Sequence, residues 1–192
     1  MNEIFLLSTR LKISRPSVAG VTLMEVLVTV AIIGILAAVA LPNLTDYFTN
    51  QRVKGASENF YVALQNAKFE AAKANTVISL EIRPNTPNSS LTTWCYGMTP
   101  ATGATCDCQT SGSCADGSVV SNVNFPDVNI NFNATNRRSF TAVRADANGT
   151  QGTVLFSSGT KSLGVKLSTY GRVVICRPSG TTITGYLDSE AC

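Results

Sequence analysis

The stretch from Val21 to Leu41 constrains the fold most, because it is apolar except for a single charged residue, Glu25. A helix of this length spans roughly 31 Å, which is about the hydrocarbon thickness of a bilayer. Basic residues precede it at Arg10, Lys12 and Arg15. Because cationic flanks stay in the cytoplasm, the pattern predicts one membrane span, with the following chain on the outer side.

Glu25 is unusual in such a helix. A carboxylate within a membrane span costs about 2.5 to 3.5 kcal/mol at mid-helix, and less near an end, so an isolated anchor gains nothing from it. A cation at the same depth would compensate the charge. Cleavage after Gly20 would create an α-amino group on the same helix, and a neighbouring copy could supply the same group. The carboxylate therefore predicts a role in subunit contacts.

The residues around Gly20 resemble the class III signal of type IV pilins and pseudopilins. That signal is a basic leader ending in glycine, followed by an apolar helix with glutamate at its fifth residue. Counted from Val21, Glu25 is fifth, and Gly34 and Pro42 also match the family pattern. The usual first residue of the mature family is phenylalanine, and Val21 departs from it.

The resemblance implies cleavage by a prepilin peptidase between Gly20 and Val21, N-methylation of Val21, and subunit assembly through Glu25. It also implies that the helix loosens between Gly34 and Pro42 when subunits pack. Proline lacks a backbone N–H and clashes with the preceding turn, and glycine weakens a helix, so both are weak points on physical grounds as well.

Two simpler interpretations compete with this one. Ala38-Val39-Ala40 is a fair cleavage site for an ordinary secretory signal, although Glu25 within the apolar run argues against it. The other competing interpretation is a plain membrane anchor with a single span. The mature N-terminus separates the three, since it would be Val21, Leu41 or an uncut chain.

Four segments follow from the pattern: a leader at 1–20, a transmembrane and assembly helix at 21–42, an amphipathic half of the same helix at 43–75, and a β head at 76–192. In the amphipathic half, apolar residues recur at helical spacing and predict the face that packs on the head. These residues are Leu44, Tyr47, Phe48, Val53, Ala56, Phe60, Leu64, Ala67 and Ala71.

Beyond residue 75 the periodicity changes to that of strands separated by Gly, Pro, Asn and Ser clusters. The sequence predicts an α+β fold, a long N-terminal helix whose C-terminal half packs on a small antiparallel β head. The expected strands are Thr76–Arg83, Leu91–Met98, two short strands within Val119–Phe132, Phe140–Arg144, Thr153–Ser157, Gly164–Leu167, Arg172–Arg177 and Thr182–Leu187.

Composition argues against an enzyme. The formal net charge is +3, but the leader supplies most of it, and the chain contains no histidine. The commonest general base and the commonest transition-metal ligand are therefore missing. No nucleophile has an evident base, and no phosphate-binding loop is present. The sequence thus predicts no catalytic residues, no cofactor and no metal site.

Six cysteines in an exported chain indicate disulfides formed in an oxidising compartment. Six cysteines allow fifteen pairings. We expect Cys176 to bond Cys192, and Cys95 to bond either Cys106 or Cys108. A zinc site formed by Cys95, Cys106, Cys108 and Cys114 is the disfavoured alternative, because exported proteins use such clusters as disulfides.

The segment Thr169–Gly180 resembles the C-terminal strand of the GspH/FimT/FimU group of minor pilins. A Gly-Arg-x-Arg pattern there is tied to DNA binding in the FimT branch. Gly171 and Arg172 match it, but the second arginine is replaced by Val174, and Arg177 lies outside the pattern. Arg172 and Arg177 are the candidate DNA contacts.

DNA binding needs a local cluster of phosphate-contacting cations. Arg137, Arg138 and Arg144 would have to join Arg172 to form one. The region 76–192 has a net charge of only +1. Scattered, solvated charge is therefore the favoured interpretation, and DNA is a possible partner that is not favoured.

These observations predict a minor pilin that helps prime, assemble or cap a type IV pilus. The alternatives are a GspH-type pseudopilin of a type II secretion system and a pilus-associated DNA receptor for natural transformation. The expected partners are other pilin or pseudopilin subunits, the inner membrane and prepilin peptidase. The expected location is the bacterial inner membrane, with the head in the periplasm, and then the fibre.

Overall fold

The computed structural model describes residues 20–99, 105–115, 117–133, 135–147, 149–186 and 192. Contacts divide the chain after Pro42 into an N-terminal unit and a C-terminal unit that begins at Asn43, which we call the head. The helix α1, Leu23–Ala74, contributes residues to both units. The predicted leader lies outside the described residues except for Gly20.

Both ends of α1 are capped by local hydrogen bonds. The Thr22 hydroxyl accepts a hydrogen bond from the Glu25 N–H at 3.2 Å, which is the usual arrangement at a helix N-terminus. At the other end, Asn75 adopts a left-handed conformation with φ of 50°, and the Thr76 N–H donates to the Ala71 carbonyl at 3.3 Å. This last bond is the Schellman type of helix termination.

The head half of α1 buries one stripe of residues. Its members share the three- and four-residue spacing of a helix face and are Val53, Ala56, Ser57, Phe60, Leu64, Ala67 and Ala71. The sequence also placed Leu44, Tyr47 and Phe48 on this packed face, and that prediction is wrong. Their side chains are 46%, 55% and 51% exposed, because the head contacts the helix only from about residue 49 onward.

Eight strands follow in the described residues: β1 Ile78–Arg83, β2 Cys95–Met98, β3 Val120–Ser121, β4 Asn129–Phe132, β5 Arg137–Phe140, β6 Gly152–Ser158, β7 Lys161–Leu167 and β8 Val173–Cys176. They form two antiparallel sheets. Sheet A has the order β3-β2-β1-β5, and sheet B has the order β4-β6-β7-β8. The expected antiparallel head is therefore confirmed, and it is built from two sheets.

Two predicted strands are wrong in position. The strand expected at Phe140–Arg144 is β5, Arg137–Phe140, and a turn follows it. In that turn the Ala145 N–H donates to the Thr141 carbonyl at 3.0 Å. No strand forms at residues 182–186, where one was expected over Thr182–Leu187, and Leu187 lies outside the described residues.

One core joins α1 to both sheets. The Phe60 ring of α1 lies 5.0 Å from the Tyr96 ring of β2 and 5.5 Å from the Phe156 ring of β6. Trp94 contacts both of those partners, and its indole N–H donates to the Val128 carbonyl at 2.7 Å. The fold of the head is thus α+β, with the helix packed on antiparallel sheets.

Candidate functional site

Glu25 lies in the first turn of α1, where Thr22 is the N-cap residue. The Glu25 N–H donates to both the hydroxyl and the carbonyl oxygen of Thr22, at 3.2 and 3.1 Å. A threonine followed three residues later by glutamate is the capping-box pattern, and a carboxylate there also interacts favourably with the helix dipole. The N-cap role of Thr22 was not predicted from the sequence, although the Thr-x-x-Glu spacing is visible there.

The apolar segment at residues 20–39 exposes its side chains. Every residue from 20 to 39 is exposed, and Leu23, Ile35 and Val39 are at least two-thirds exposed, at 80%, 68% and 67%. Apolar surface of this extent requires lipid or other helices to cover it. Among the described residues, no single helix is long and apolar enough to cross a membrane. The two parts of α1, Leu23–Val39 and Leu44–Ala74, meet at a bend, and together they have the length and composition of a span.

Gly20, Val21, Gly34 and Pro42 are the other sequence-predicted residues of this segment, and their roles stay predictions. Gly20 and Val21 precede α1 and are exposed, so the peptide bond between them is accessible. A Cβ built on Gly34 would meet nothing within 4 Å. Pro42 lies within the bounds of α1. Loosening of the helix between Gly34 and Pro42 stays a prediction.

The six cysteines form three disulfides. Cys95 is bonded to Cys108, Cys106 to Cys114, and Cys176 to Cys192. The partner of Cys95, which the sequence left open between two residues, is thus Cys108. All four sulfurs of the zinc alternative are used in the first two bonds, so that alternative is wrong.

Two strand glycines lie beneath these disulfides. A Cβ on Gly97 of β2 would be 2.7 Å from Cys106 Sγ and 2.8 Å from Cys114 Sγ. A Cβ on Gly164 of β7 would be 2.5 Å from Cys192 Sγ and 2.8 Å from Cys176 Sγ. Real Cβ atoms do not approach sulfur this closely, because packed interiors have no room for such overlap. The Cys106–Cys114 and Cys176–Cys192 disulfides therefore pack against their strands only because glycine leaves the space.

Two neighbouring loops carry four exposed residues, Val143, Arg144, Tyr170 and Arg172, which we call the distal patch. Val143 and Tyr170 are 88% and 89% exposed, and both arginines are exposed. The loops are held together by the Ala147 N–H, which donates to the Thr169 carbonyl at 3.1 Å. The structure thus places Arg144 and Arg172 on adjoining loops.

Gly171 fixes the geometry of the distal patch. Its φ is 73°, and its α-carbon faces the Ala145 carbonyl so closely that any side chain would overlap that oxygen. The Lys68 ammonium of α1 donates to the Gly171 carbonyl at 3.0 Å. The fold of these loops therefore requires glycine at position 171, independent of any ligand.

The remaining arginines do not join this patch. Arg172 and Arg177 flank the two ends of β8, roughly 16 Å apart at strand spacing, so the structure does not bring them together. Arg137 forms an ion pair with Glu81, whose side chain is only 2% exposed. Arg138 is fully buried. A cluster that contains Arg137 and Arg138 is therefore excluded.

Arg138 instead joins the two sheets. From β5 of sheet A its guanidinium donates to the carbonyls of Thr135 at 2.7 Å, Asn133 at 3.3 Å and Thr153 at 3.5 Å. Thr153 belongs to β6 of sheet B. Burial lowers the pKa of Arg138 to about 10, so the side chain stays charged at neutral pH.

An open cleft of about 590 Å³ lies between α1 and sheet A. Its polar lining includes Asn59, whose side-chain oxygen accepts from the Tyr96 hydroxyl at 2.9 Å. Glu70 also lines it and pairs with Lys73 at 3.3 Å. The Asn59 and Glu70 side chains each bond a neighbouring residue, Tyr96 and Lys73, rather than converge on a common point. These lining groups therefore do not form the arrangement of acid, base and nucleophile that a catalytic site needs.

Two family models match the sequence. The prokaryotic N-terminal methylation motif matches residues 15–41, and the type II transport protein GspH model matches residues 56–182. The second match covers about two-thirds of the chain and most of the head. The chain belongs to the GspH family. No curated protein matches the sequence.

Two crystal structures of the type IV minor pilin FimU from Pseudomonas aeruginosa are similar to this GspH-family chain. The first has 19% sequence identity and a TM-score of 0.45, and the match covers 64% of this chain and 90% of FimU. The second has 15% identity and a TM-score of 0.46, with 65% and 88% covered.

Membership of the GspH family places the chain among type IV minor pilins and pseudopilins that carry an N-methylation motif. Such proteins are structural subunits that assemble with other pilin-type subunits, and their motif implies prepilin peptidase processing. The hydrophobic helix of this GspH-family chain is consistent with membrane anchoring and incorporation into a fibre.

Proposed function

We propose that this chain is a minor pilin that helps prime, assemble or cap a type IV pilus and is held in the fibre by its N-terminal helix. The observation that carries the proposal is the uninterrupted exposure of residues 20–39, in a chain whose head has a complete core of its own. A folded head does not need this segment for its stability, so its apolar surface serves contacts outside the chain.

Glu25 gives those contacts a register. In the membrane or in a bundle of helices, its carboxylate must find a cation. The α-amino group of Val21, in the same chain or a neighbouring one, is the cation that cleavage after Gly20 would create. Subunits aligned in this way have one favoured axial position, because any other position leaves a charge unpaired in an apolar surrounding.

Two readouts test this proposal. The mature N-terminus of protein purified from cells should be N-methylated Val21. Glu25→Gln tests the charge alone, because glutamine also fits this position of the capping-box pattern but carries no charge. Glu25→Gln should therefore be processed normally but be at least tenfold depleted from sheared fibres, and Glu25→Ala should behave similarly.

Thr22→Ala is the matched control. It removes the capping hydroxyl, which costs about 1 kcal/mol of local helix stability, but leaves the carboxylate in place. Its incorporation should stay close to the wild-type level. Normal incorporation of Glu25→Gln would refute the ion-pair argument, and a mature chain that begins elsewhere than Val21 would refute the proposal itself.

A GspH-type pseudopilin of a type II secretion system is the second candidate. The specific observation in its favour is the match of residues 56–182 to the type II transport protein GspH model. A deletion strain distinguishes the two machines. Loss of surface pili with normal protein export supports the pilus, whereas retained pili with failed export supports the secretion system.

The proposed location is the bacterial inner membrane, with the head in the periplasm, before entry into the fibre or pseudopilus. A reporter fused after Cys192 tests the orientation: an enzyme that is active only in the periplasm should be active there. DNA stays an untested partner. The structure leaves Arg144 and Arg172 as the pair on which such binding would depend.

A further inference from the structure

Three apolar residues near the start of the head, Leu44, Tyr47 and Phe48, keep their side chains exposed, and we call them the interfacial patch. They are 46%, 55% and 51% exposed, and the Tyr47 and Phe48 rings lie edge to face at 5.9 Å. Their spacing of three and four residues places them on one face of α1, whereas Asp46 lies on the opposite face. The patch is thus an apolar strip that the described part of the head leaves uncovered.

The apolar strip ends at Phe48. The next position on the same face of the helix is Gln51, which is polar and exposed. Beside it the Arg52 guanidinium bonds the Asp127 carboxylate at 2.7 Å, and these two side chains are 41% and 77% exposed. An ion pair with this exposure is hydrated. The surface of α1 therefore changes from apolar to hydrated within about one turn.

The position of the patch in the chain matches the thickness of a membrane interface. The headgroup region occupies roughly 5 to 8 Å on each side of the hydrocarbon core. Leu44 and Phe48 follow Leu41, the last residue of the apolar run, by three and seven residues. At the helical rise these steps amount to about 5 and 10 Å. Because helical side chains point toward the N-terminus of their helix, those of the patch reach back toward the span.

Tyr47 has the chemistry of a side chain at a membrane interface. Its ring is apolar, and its hydroxyl forms no hydrogen bond with any residue that the structure describes. Tyrosine is enriched at both interfaces of membrane proteins, where the ring is shielded from water and the hydroxyl meets the headgroups. Asp46 is exposed on the other face of the helix, so placing the strip against lipid does not bury its charge.

We propose that the interfacial patch lies in the headgroup region of the periplasmic leaflet of the inner membrane before the subunit enters a fibre. The inference deepens the proposed function, on which it rests, because it identifies lipid as the partner of the first helical turns of the head. The patch then sets the distance between the head and the bilayer while the subunit awaits assembly. Burial of apolar side chains holds it there, so uncharged lipid surfaces suffice.

Quenching of tryptophan fluorescence by brominated lipids tests this placement. Full-length Phe48→Trp and Val62→Trp variants are compared in phosphatidylcholine vesicles whose acyl chains carry bromine near the headgroup. The two replaced side chains are matched, since both lie on α1 and are 51% and 53% exposed, but Val62 lies 14 residues farther along. The native Trp94 is 2% exposed, and its signal in the unmodified protein is subtracted.

The two variants should differ clearly. Phe48→Trp should lose about half of its fluorescence, because a side chain at the interface contacts the bromine atoms. Val62→Trp should lose less than about a tenth, since its position is about 21 Å farther along the helix. Equal quenching at the two positions, or no quenching of Phe48→Trp, would overturn the proposal.

Dilution of the protein with lipid separates a lipid contact from a contact between subunits. Quenching of Phe48→Trp that is already complete at high protein density, and stays constant on dilution, supports the proposal. Quenching that develops only on dilution would show that another subunit covers the patch in the membrane, and the proposal would be wrong.

Ile33→Trp distinguishes failure of this inference from failure of the proposed function. Ile33 is 64% exposed within the apolar segment, so lipids brominated near the ends of their acyl chains should quench a tryptophan at this position. If Ile33→Trp is quenched and Phe48→Trp is not, the chain spans the membrane but the patch does not lie at its surface. If neither variant is quenched, the span on which both proposals rest does not form.

Discussion

At the scale of single residues, Gly164 shows that the absence of a side chain can leave the space that a disulfide between two other residues needs. Gly164 is paired across the sheet with Cys176, and the disulfide to Cys192 occupies the space above it. A glycine inside a strand costs conformational entropy and adds no packing of its own. Here that cost is offset, because no larger residue leaves room for two sulfur atoms.

Gly164→Ala should destabilise the head by about 2 kcal/mol, which is typical of overpacking in a core. The cause would be the methyl group overlapping Cys192 Sγ and Cys176 Sγ. Urea unfolding of the full-length protein in detergent measures the change. The same substitution in a Cys176→Ala/Cys192→Ala background should cost clearly less, because the two effects are coupled through a shared space.

Equal costs in the two backgrounds would show that the disulfide is not what the methyl group meets. The remaining neighbour is Leu155 Cδ2, at 3.0 Å from the built Cβ. Leu155 is able to shift by rotation, so it accounts for only part of the expected cost.

At the scale of elements, the relation between sheets A and B depends on Arg138. The side chain leaves β5 and donates to carbonyls on both sides of the boundary, at Thr135 and at Thr153. Its guanidinium forms no ion pair with a carboxylate of the described residues, so carbonyl dipoles stabilise the charge. A buried charge held in this way tolerates little movement of either sheet.

Arg138→Met should therefore lower the free energy of unfolding by about 3 kcal/mol, because several buried carbonyls lose their donor at once. Lys161→Met is the control, since Lys161 is a partly exposed cation on β7 that has no such set of acceptors among the described residues. Thermal or urea unfolding measures both. A loss below about 0.5 kcal/mol for Arg138→Met would mean that the carbonyls find other donors.

At the scale of the whole molecule, the disulfides close long irregular segments of the head. Cys95–Cys108 and Cys106–Cys114 interleave within one loop region, and Cys176–Cys192 ties the last residue to β8. A head of modest size benefits from such closures, which limit the unfolded chain more than they strengthen the folded one.

Loss of the Cys176–Cys192 bond should cost about 3 kcal/mol in the chain-entropy model, since it closes a loop of 16 residues. Cys106–Cys114 closes only 8 and should cost less. Paired serine variants, unfolded in urea without reductant, measure both. The reverse order would show that packing on Gly97 and Gly164, rather than loop length, determines their contributions.

Local sequence pattern was sufficient to predict the helical part of this protein. An apolar run of fixed length with one carboxylate admits few structures, and helical spacing identified Val53, Phe60 and Leu64 as core residues, which the structure confirms. The position of β6 was predicted to within one residue at each end, whereas β7 was predicted only from Gly164 onward. Strand positions were predicted poorly around β5, because Arg137 and Arg138 resemble a polar surface in the sequence.

The roles of the charged and small residues in the head followed from long-range packing instead. Arg138 is buried because carbonyls from two sheets converge on it, and Gly171 is required because a loop distant in sequence passes over it. Tyr47 and Phe48 are exposed because the head ends before it reaches them. Local spacing encodes which face of an element is apolar, but the partner of each side chain depends on contacts between residues far apart in the chain.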